Sequence, residues 1–127
     1  IIGKHMIDLK TLYPDLRVII AAIYRDNPDP EDIRCAQEAL SLAGEIIRGG
    51  EYDIVILDEI NVAVEWGLVK KEEVMKLMDE RPSHMELILT GRYAAPEIIE
   101  RADLVTEMVE IKHYYQKGIQ SRVGIEK

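Results

Sequence analysis

Two adjacent carboxylates, Asp58 and Glu59, close a hydrophobic run, YDIVILDEIN, at Tyr52 to Asn61. Acids in this setting suit a hard divalent cation. Mg2+ takes oxygen ligands, keeps several waters, and is held by one or two carboxylates together with substrate phosphates. A hydrophobic strand delivering such acids to its carboxyl end is the Walker B pattern, which holds Mg2+ or orients a nucleophile beside a triphosphate. The structural alternative is that Asp58 caps the segment that follows. A second polar group lies downstream at Thr90-Gly91-Arg92. Glycine there lets the backbone approach a ligand closely, and arginine can grip phosphate through two parallel hydrogen bonds. The alternative for Arg92 is a surface side chain after a tight turn. Asn61 is a candidate polar contact or, equally, a capping residue. His5, His84 and His113 are far apart and show no metal-ligand spacing. His84 is expected in an exposed loop, His113 in a structural role, and Trp66 and the tyrosines in packing. No Ser/His/Asp or Cys/His nucleophile arrangement is readable.

These groups need elements to position them. In open α/β sheets the ligand sits beyond the carboxyl ends of the strands. Ile54 to Leu57 is an unbroken apolar run, which predicts a strand buried on both faces in a parallel sheet. LRVIIAAIY, at Leu16 to Tyr24, predicts a second buried strand. DNPDP, at Asp26 to Pro30, reads as a loop with Asp29 as N-cap and Pro30 at the first helical position. The helix should run to about Arg48, with Glu31 and Asp32 at the positive end of its dipole. Its apolar face is Ile33, Ala36, Leu40, Ala43 and Ile47, and Gly49-Gly50 ends it. Strand, helix and strand in succession make a βαβ unit. Ile60 to Trp66 predicts a short helix ending at Gly67. Lys70 to Glu80 predicts an amphipathic helix with Val74, Leu77 and Met78 inward, stopped by Arg81-Pro82-Ser83. ELILT, Glu86 to Thr90, is the next strand, so Thr90-Gly91-Arg92 falls on the same sheet edge as the two acids. Pro96 to Ala102 predicts a helix burying Ile98 and Ile99. Leu104 to Ile111 predicts a further strand near the sheet edge, and Lys112 to Lys127 a short hairpin or extended tail. Ile1 to Asp15 has only a weak helical spacing, at Met6 to Leu12.

A chain of 127 residues, 47% apolar and 31% charged, suits a single globular domain that needs no staple for its core. The net charge of −8 argues against nucleic acid and anionic membrane as partners. Cys35, the single cysteine, permits no internal disulfide and fits a reducing cytoplasm. Its place in the first helix predicts core packing. No apolar run approaches the ~20 residues needed to span a bilayer. A Walker B strand works with a phosphate loop, GxxxxGK[ST], and these residues contain none. The first residue is not methionine, so residues upstream are expected.

The motifs resemble, in order, those of the P-loop type ATP:corrinoid adenosyltransferases, the cob(I)alamin or cob(I)yrinic acid a,c-diamide adenosyltransferases. The resemblance covers roughly Ala36 to Glu126. It is carried by LDEIN at Leu57 to Asn61, LTGR at Leu89 to Arg92, Pro96, ADLVTEM at Ala102 to Met108, Lys112-His113, Gly118-Ile119 and Gly124 to Glu126. Two places depart from the pattern. AAIYRDNPDP, at Ala21 to Pro30, stands where the family often has an aromatic-rich active-site stretch, and Tyr114 replaces a usual proline.

The resemblance implies an α/β fold of the P-loop (RecA-like) type, here one domain over 1–127 lacking its N-terminal βα element. It implies transfer of the 5′-deoxyadenosyl group of ATP to the Co(I) of a corrinoid, cobalamin or a precursor, with release of triphosphate. The process would be cobalamin synthesis or salvage, in the cytoplasm, with small-molecule substrates and pairing into a homodimer. Glu59, with Asp58 beside it, would bind Mg2+; Arg92, Gly91, Thr90 and Asn61 would lie on the nucleotide and phosphate side. Cobalt is the nucleophile, so no side-chain base is required. The rival readings are a non-catalytic remnant acting as a binding or regulatory module, and a generic P-loop ATPase in which Glu59 activates water.

Overall fold

β2, Ile54–Asp58, is the middle strand of a three-stranded parallel sheet ordered β1-β2-β3, with β1 at Val18–Ala22 and β3 at Glu86–Leu89. A computed structural model describes residues 18–22 and 30–123 of the chain, the first group as backbone only. The expectations for Ile1 to Asp15, for the Asp29 cap and for the last four residues lie outside the described residues. The register pairs Val18 with Ile54 and Ala22 with Asp58 on one side. On the other it pairs Ile54 with Glu86 and Leu57 with Leu89. The expected βαβ unit is present: α1, Pro30–Gly49, connects β1 to β2. After β2 come α2, Ile60–Glu65, and α3, Lys71–Glu80; after β3 comes α4, Pro96–Arg101. Each element lies within a residue or two of where periodicity and punctuation predict it.

The reasons are local. Gly50 closes α1 at φ 66, a left-handed conformation that glycine adopts without a Cβ penalty. Its N–H lies 3.2 Å from the Ile47 carbonyl. Arg81, held extended before Pro82, ends α3. Pro96 opens α4, where its missing N–H removes no helical bond.

One contiguous core joins Ala36, Leu40, Ala43 and Ile47 of α1 to Val55 and Leu57 of β2, Val74 and Leu77 of α3, and Ile98 of α4. Leu87 and Leu89 of β3 pack against it. Alternate residues of a strand face opposite ways, so this core covers one face of the sheet. The opposite face carries Ile54 and Ile56, half-buried, and Ile88, 42% exposed. Burial of β2 on both faces is therefore corrected: among the described residues the helices supply one layer. Charged pairs lace that layer together. Arg48 of α1 reaches Glu80 of α3 at 2.9 Å, Arg101 of α4 reaches Asp79 of α3 at 2.7 Å, and Lys71 of α3 pairs with Glu97 of α4. The Lys71 ammonium holds the Glu97 carboxyl below its ordinary range. All three pairs are exposed enough that packing, not charge, dominates.

Several side chains depart from expectation. Ile33, one turn before the buried stretch of α1, is 38% exposed, and Ile99 is 44% exposed, so Ile98 alone is the buried residue of α4. Both lie beyond the footprint of the neighbouring elements. Cys35 is exposed, not packed in the core, one position off the inward stripe begun by Ala36. Trp66, Tyr93 and Tyr115 are also exposed, whereas Tyr52 packs against the core as expected. Leu104 to Ile111 is not a strand. A strand requires a partner for its backbone N–H and C=O groups, and none of the described strands lies beside it. Leu104, Val105, Met108, Val109 and Ile111 are all exposed. Of the two expectations for the tail, the described residues show no hairpin; they carry one 3-10 turn, Tyr114–Lys117, and are otherwise without regular structure.

Ile47 is fully buried and Ile33 lies at the rim. Ile47→Ala is expected to lower the unfolding free energy by about 2–5 kcal/mol. Ile33→Ala is expected to change it by no more than about 1 kcal/mol. Urea denaturation of the two variants checks both expectations.

Candidate functional site

The carboxyl ends of β2 and β3 meet at one hydroxyl. The parallel register places Leu57 beside Leu89, which brings the next residues, Asp58 and Thr90, to adjacent positions on the sheet edge. Thr90 Oγ1 donates to Asp58 Oδ1 at 2.6 Å and accepts from the Glu59 backbone N–H at 2.9 Å. The backbone of Thr90 is held as well: its N–H donates to the Leu57 carbonyl at 3.1 Å, and its carbonyl accepts from the Asn61 N–H at 3.2 Å. The two predicted clusters, Asp58-Glu59 and Thr90-Gly91-Arg92, are thus one constellation.

Asp58 is not the cap of the following helix. That position belongs to Glu59, and its side chain makes no capping hydrogen bond. Glu59 instead sits in the left-handed region, at φ 58 and ψ 19. A non-glycine residue there carries strain, and such strain collects at sites where surrounding contacts over-determine the backbone. The left-handed turn breaks the alternation of the strand, so the two neighbouring carboxylates do not simply point to opposite faces. Asp58 is turned to Thr90, and the Glu59 side chain lies against Gly91.

Gly91 has little alternative. Its φ is 116, and a Cβ there would stand 3.2 Å from Glu59 Cα, 3.3 Å from Asn61 Cβ and 3.3 Å from Glu59 Oε2. The close approach of backbone that the sequence suggests toward a ligand is here an approach toward Glu59 and Asn61. Arg92 and Tyr93 follow on the exposed exit loop, and Tyr93 is also left-handed, at φ 62. Asn61 is 6% exposed, the second residue of α2 rather than its cap. Its Oδ1 is buried without a hydrogen-bond partner among the described residues. A buried acceptor left so costs about 1–3 kcal/mol.

This donor set fits Mg2+. Two carboxylates stand at a strand end, with a buried carbonyl acceptor beside them. No group of three or more His, Cys, Asp or Glu side chains converges among the described residues. Mg2+ asks for no such cage, because waters and substrate phosphates complete its shell. Of the histidines, His5 lies outside the described residues, and the other two are bonded elsewhere. His84 is exposed, with Nε2 3.0 Å from the Gly50 carbonyl. His113 Nδ1 accepts from the Tyr115 N–H at 3.1 Å and so caps the 3-10 turn.

Two features escaped sequence reasoning. The Thr90 hydroxyl bridge spans residues 32 apart in the chain, and only the strand register brings them together. The left-handed backbone of Glu59 carries no sequence signal, because glutamate does not favour it. Gly91 was legible as a close-approach residue, but not what it approaches.

Comparison with known proteins follows the same residues. The profile of the family described as ATP:corrinoid adenosyltransferase BtuR/CobO/CobP matches residues 4–126. A corrinoid adenosyltransferase of Sinorhizobium is 42% identical over 96 residues, 75% of this chain and 45% of that protein. One of Pseudomonas aeruginosa is 36% identical over 95 residues, 75% of this chain and 47% of that protein. One of Escherichia coli K12 is 32% identical over 95 residues, 75% of this chain and 48% of that protein. The chain thus matches about half the length of these curated relatives.

The two left-handed positions predict opposite responses to substitution. Gly91→Ala must place a Cβ against the Glu59 backbone, and is expected to destabilise by about 1–3 kcal/mol. Glu59→Gly relieves strain while adding unfolded-state freedom, and is expected to change stability by less than about 1 kcal/mol in either direction. Chemical denaturation of the two variants side by side tests the contrast.

Proposed function

The chain belongs to the ATP:corrinoid adenosyltransferase family, and from that premise we propose that the protein transfers the 5′-deoxyadenosyl group of ATP to the Co(I) of a corrinoid, in cobalamin synthesis or salvage. The lone pair of Co(I) attacks the ribose C5′ and forms the cobalt–carbon bond. The C5′–O bond breaks, and triphosphate departs with the bonding electrons. Cobalt is the nucleophile, so the protein needs no general base. Its task is to hold C5′ in line with cobalt and to stabilise the charge that collects on the leaving group.

The observation that carries the proposal for these residues is the single constellation at the β2–β3 edge, where Glu59 is held strained beside Gly91. Glu59, with Asp58 behind it, is the group we assign to Mg2+; bound there, the ion would neutralise part of the triphosphate charge. Arg92, on the exposed exit loop, would reach the phosphates, with Gly91 letting that loop start close against Glu59 and Asn61. The buried Asn61 carbonyl would accept a hydrogen bond from the nucleotide or its ordered water. The sheet would be the P-loop, RecA-like type, whose phosphate loop complements this edge. No helix among the described residues is long and apolar enough to cross a membrane. We assign the protein to the cytoplasm, with small molecules as its partners and a homodimer as its assembly.

The whole protein, incubated with ATP, Mg2+ and chemically reduced cob(I)alamin, is expected to yield adenosylcobalamin and triphosphate in equal amounts. ADP and phosphate without an alkylated corrinoid would instead make the protein an ATPase. Glu59→Ala is expected to lower adenosyl transfer by at least about 100-fold, on the scale of lost charge stabilisation at a leaving group. Its unfolding free energy should stay within about 1 kcal/mol. Full activity in that variant would remove Glu59 from the metal.

A further inference from the structure

Thr90 is the natural candidate for a phosphate contact, a hydroxyl at the end of a strand beside two acids. Its hydrogen bonds say otherwise. A hydroxyl has one proton to give, and that proton is directed to Asp58 Oδ1, at a distance of 2.6 Å. Bonds of an O–H to a carboxylate at 2.5–2.7 Å are of the charge-assisted kind, about twice as strong as neutral ones. The same oxygen accepts the Glu59 N–H at 2.9 Å. That N–H opens the left-handed residue whose side chain lies against Gly91. Thr90 therefore acts on both acids at once, and on each differently. It occupies one oxygen of Asp58, and it braces the backbone turn that sets the direction of Glu59.

We propose that the Thr90 hydroxyl is a positioning group that divides the labour of the two acids: it ties Asp58 back to β3 and holds Glu59 as the carboxylate that faces the divalent cation. The proposal rests on the reading that Asp58 and Glu59 serve Mg2+ and ATP. It adds what sets the two acids apart. Two neighbouring carboxylates free to move offer one cation several arrangements, on either acid or on both. A hydroxyl bonded to one side chain and to the backbone of the other removes that ambiguity. Thr90 acts through Asp58 and Glu59 and needs no contact with substrate.

The test is metal binding, read without turnover. Mn2+, paramagnetic and a substitute for Mg2+ at oxygen sites, is titrated into the whole protein in the presence of ATP, and its affinity followed by electron paramagnetic resonance. Thr90→Val keeps the shape and removes the hydroxyl. It is expected to weaken Mn2+ binding about 10-fold to 100-fold, the scale for loss of a group that orients a metal ligand. Thr90→Ser restores the hydroxyl and is expected to recover most of that loss, which a purely steric role of the threonine would not allow. Glu59→Gln is expected to weaken Mn2+ binding by at least about 10-fold more than Asp58→Asn, whose amide oxygen can still accept from Thr90. Equal affinity in wild type and Thr90→Val overturns the proposal. So does equal loss in the valine and serine variants, or a loss in Asp58→Asn that matches Glu59→Gln. Where Thr90→Val fails to fold, Thr90→Ala, which also lacks the hydroxyl, is set against Thr90→Ser, and equal affinity in those two overturns the proposal. Failure of the wild-type protein to bind Mn2+ with ATP is a different result, and overturns the functional reading on which the proposal stands.

Discussion

Parallel pairing between β2 and β3 is the constraint on which the site depends. Its register sets Val55 beside Leu87 and Leu57 beside Leu89, and one step further it sets Asp58 beside Thr90. A slip of one residue would turn Leu87 and Leu89 out of the core and Ile88 into it. It would also separate Asp58 from the hydroxyl that holds it. The apolar alternation that secures the sheet against the helices is thus the device that assembles the polar edge. Chemistry at the strand ends inherits its precision from packing several residues away.

The helices serve that arrangement by covering one face. α3 is central to the layer, bonded through Glu80 to α1 and through Asp79 and Lys71 to α4. Buried side chains from these helices meet Val55 and Leu57 of β2. The second face of the sheet, with Ile88, is open among the described residues, and so is the apolar segment from Leu104 to Ile111. The contrast explains why the helices at Pro30–Gly49 and Lys71–Glu80 match their predicted limits while the predicted strand at Leu104 does not form. A helix satisfies its own backbone, whereas a strand depends on a neighbour.

Strain is concentrated where chemistry is expected. Glu59 and Tyr93 are the two left-handed non-glycine residues described, and Gly91 at φ 116 lies against Glu59 and two residues before Tyr93. An unpartnered Asn61 oxygen is buried in the same place. These features oppose stability locally, and the hydrogen bonds of Thr90 offset part of that cost. A site whose backbone is strained and whose acceptor is unfilled is one shaped for something other than the folded chain alone.

How much was legible follows from the range of each interaction. The sequence by itself determined the strand at Ile54–Asp58, the helices and their stops, the parallel α/β class and the two polar clusters. Apolar periodicity, Pro30, Pro96 and the glycine breaks act over a few residues, and the motif order from LDEIN to LTGR identifies the family. The burial of Ile33, Cys35 and Ile99 was misread because periodicity names a face and not how far a neighbour extends across it. The fate of Leu104 to Ile111 was misread because strand propensity says nothing of a partner. Only the tertiary structure decided that Asp58 turns to Thr90, that Glu59 is left-handed, and that Gly91 opens onto Glu59 and Asn61. The physical reason is that these relations join residues some thirty positions apart through strand register, and register is set by packing of the whole sheet rather than by any local run of residues.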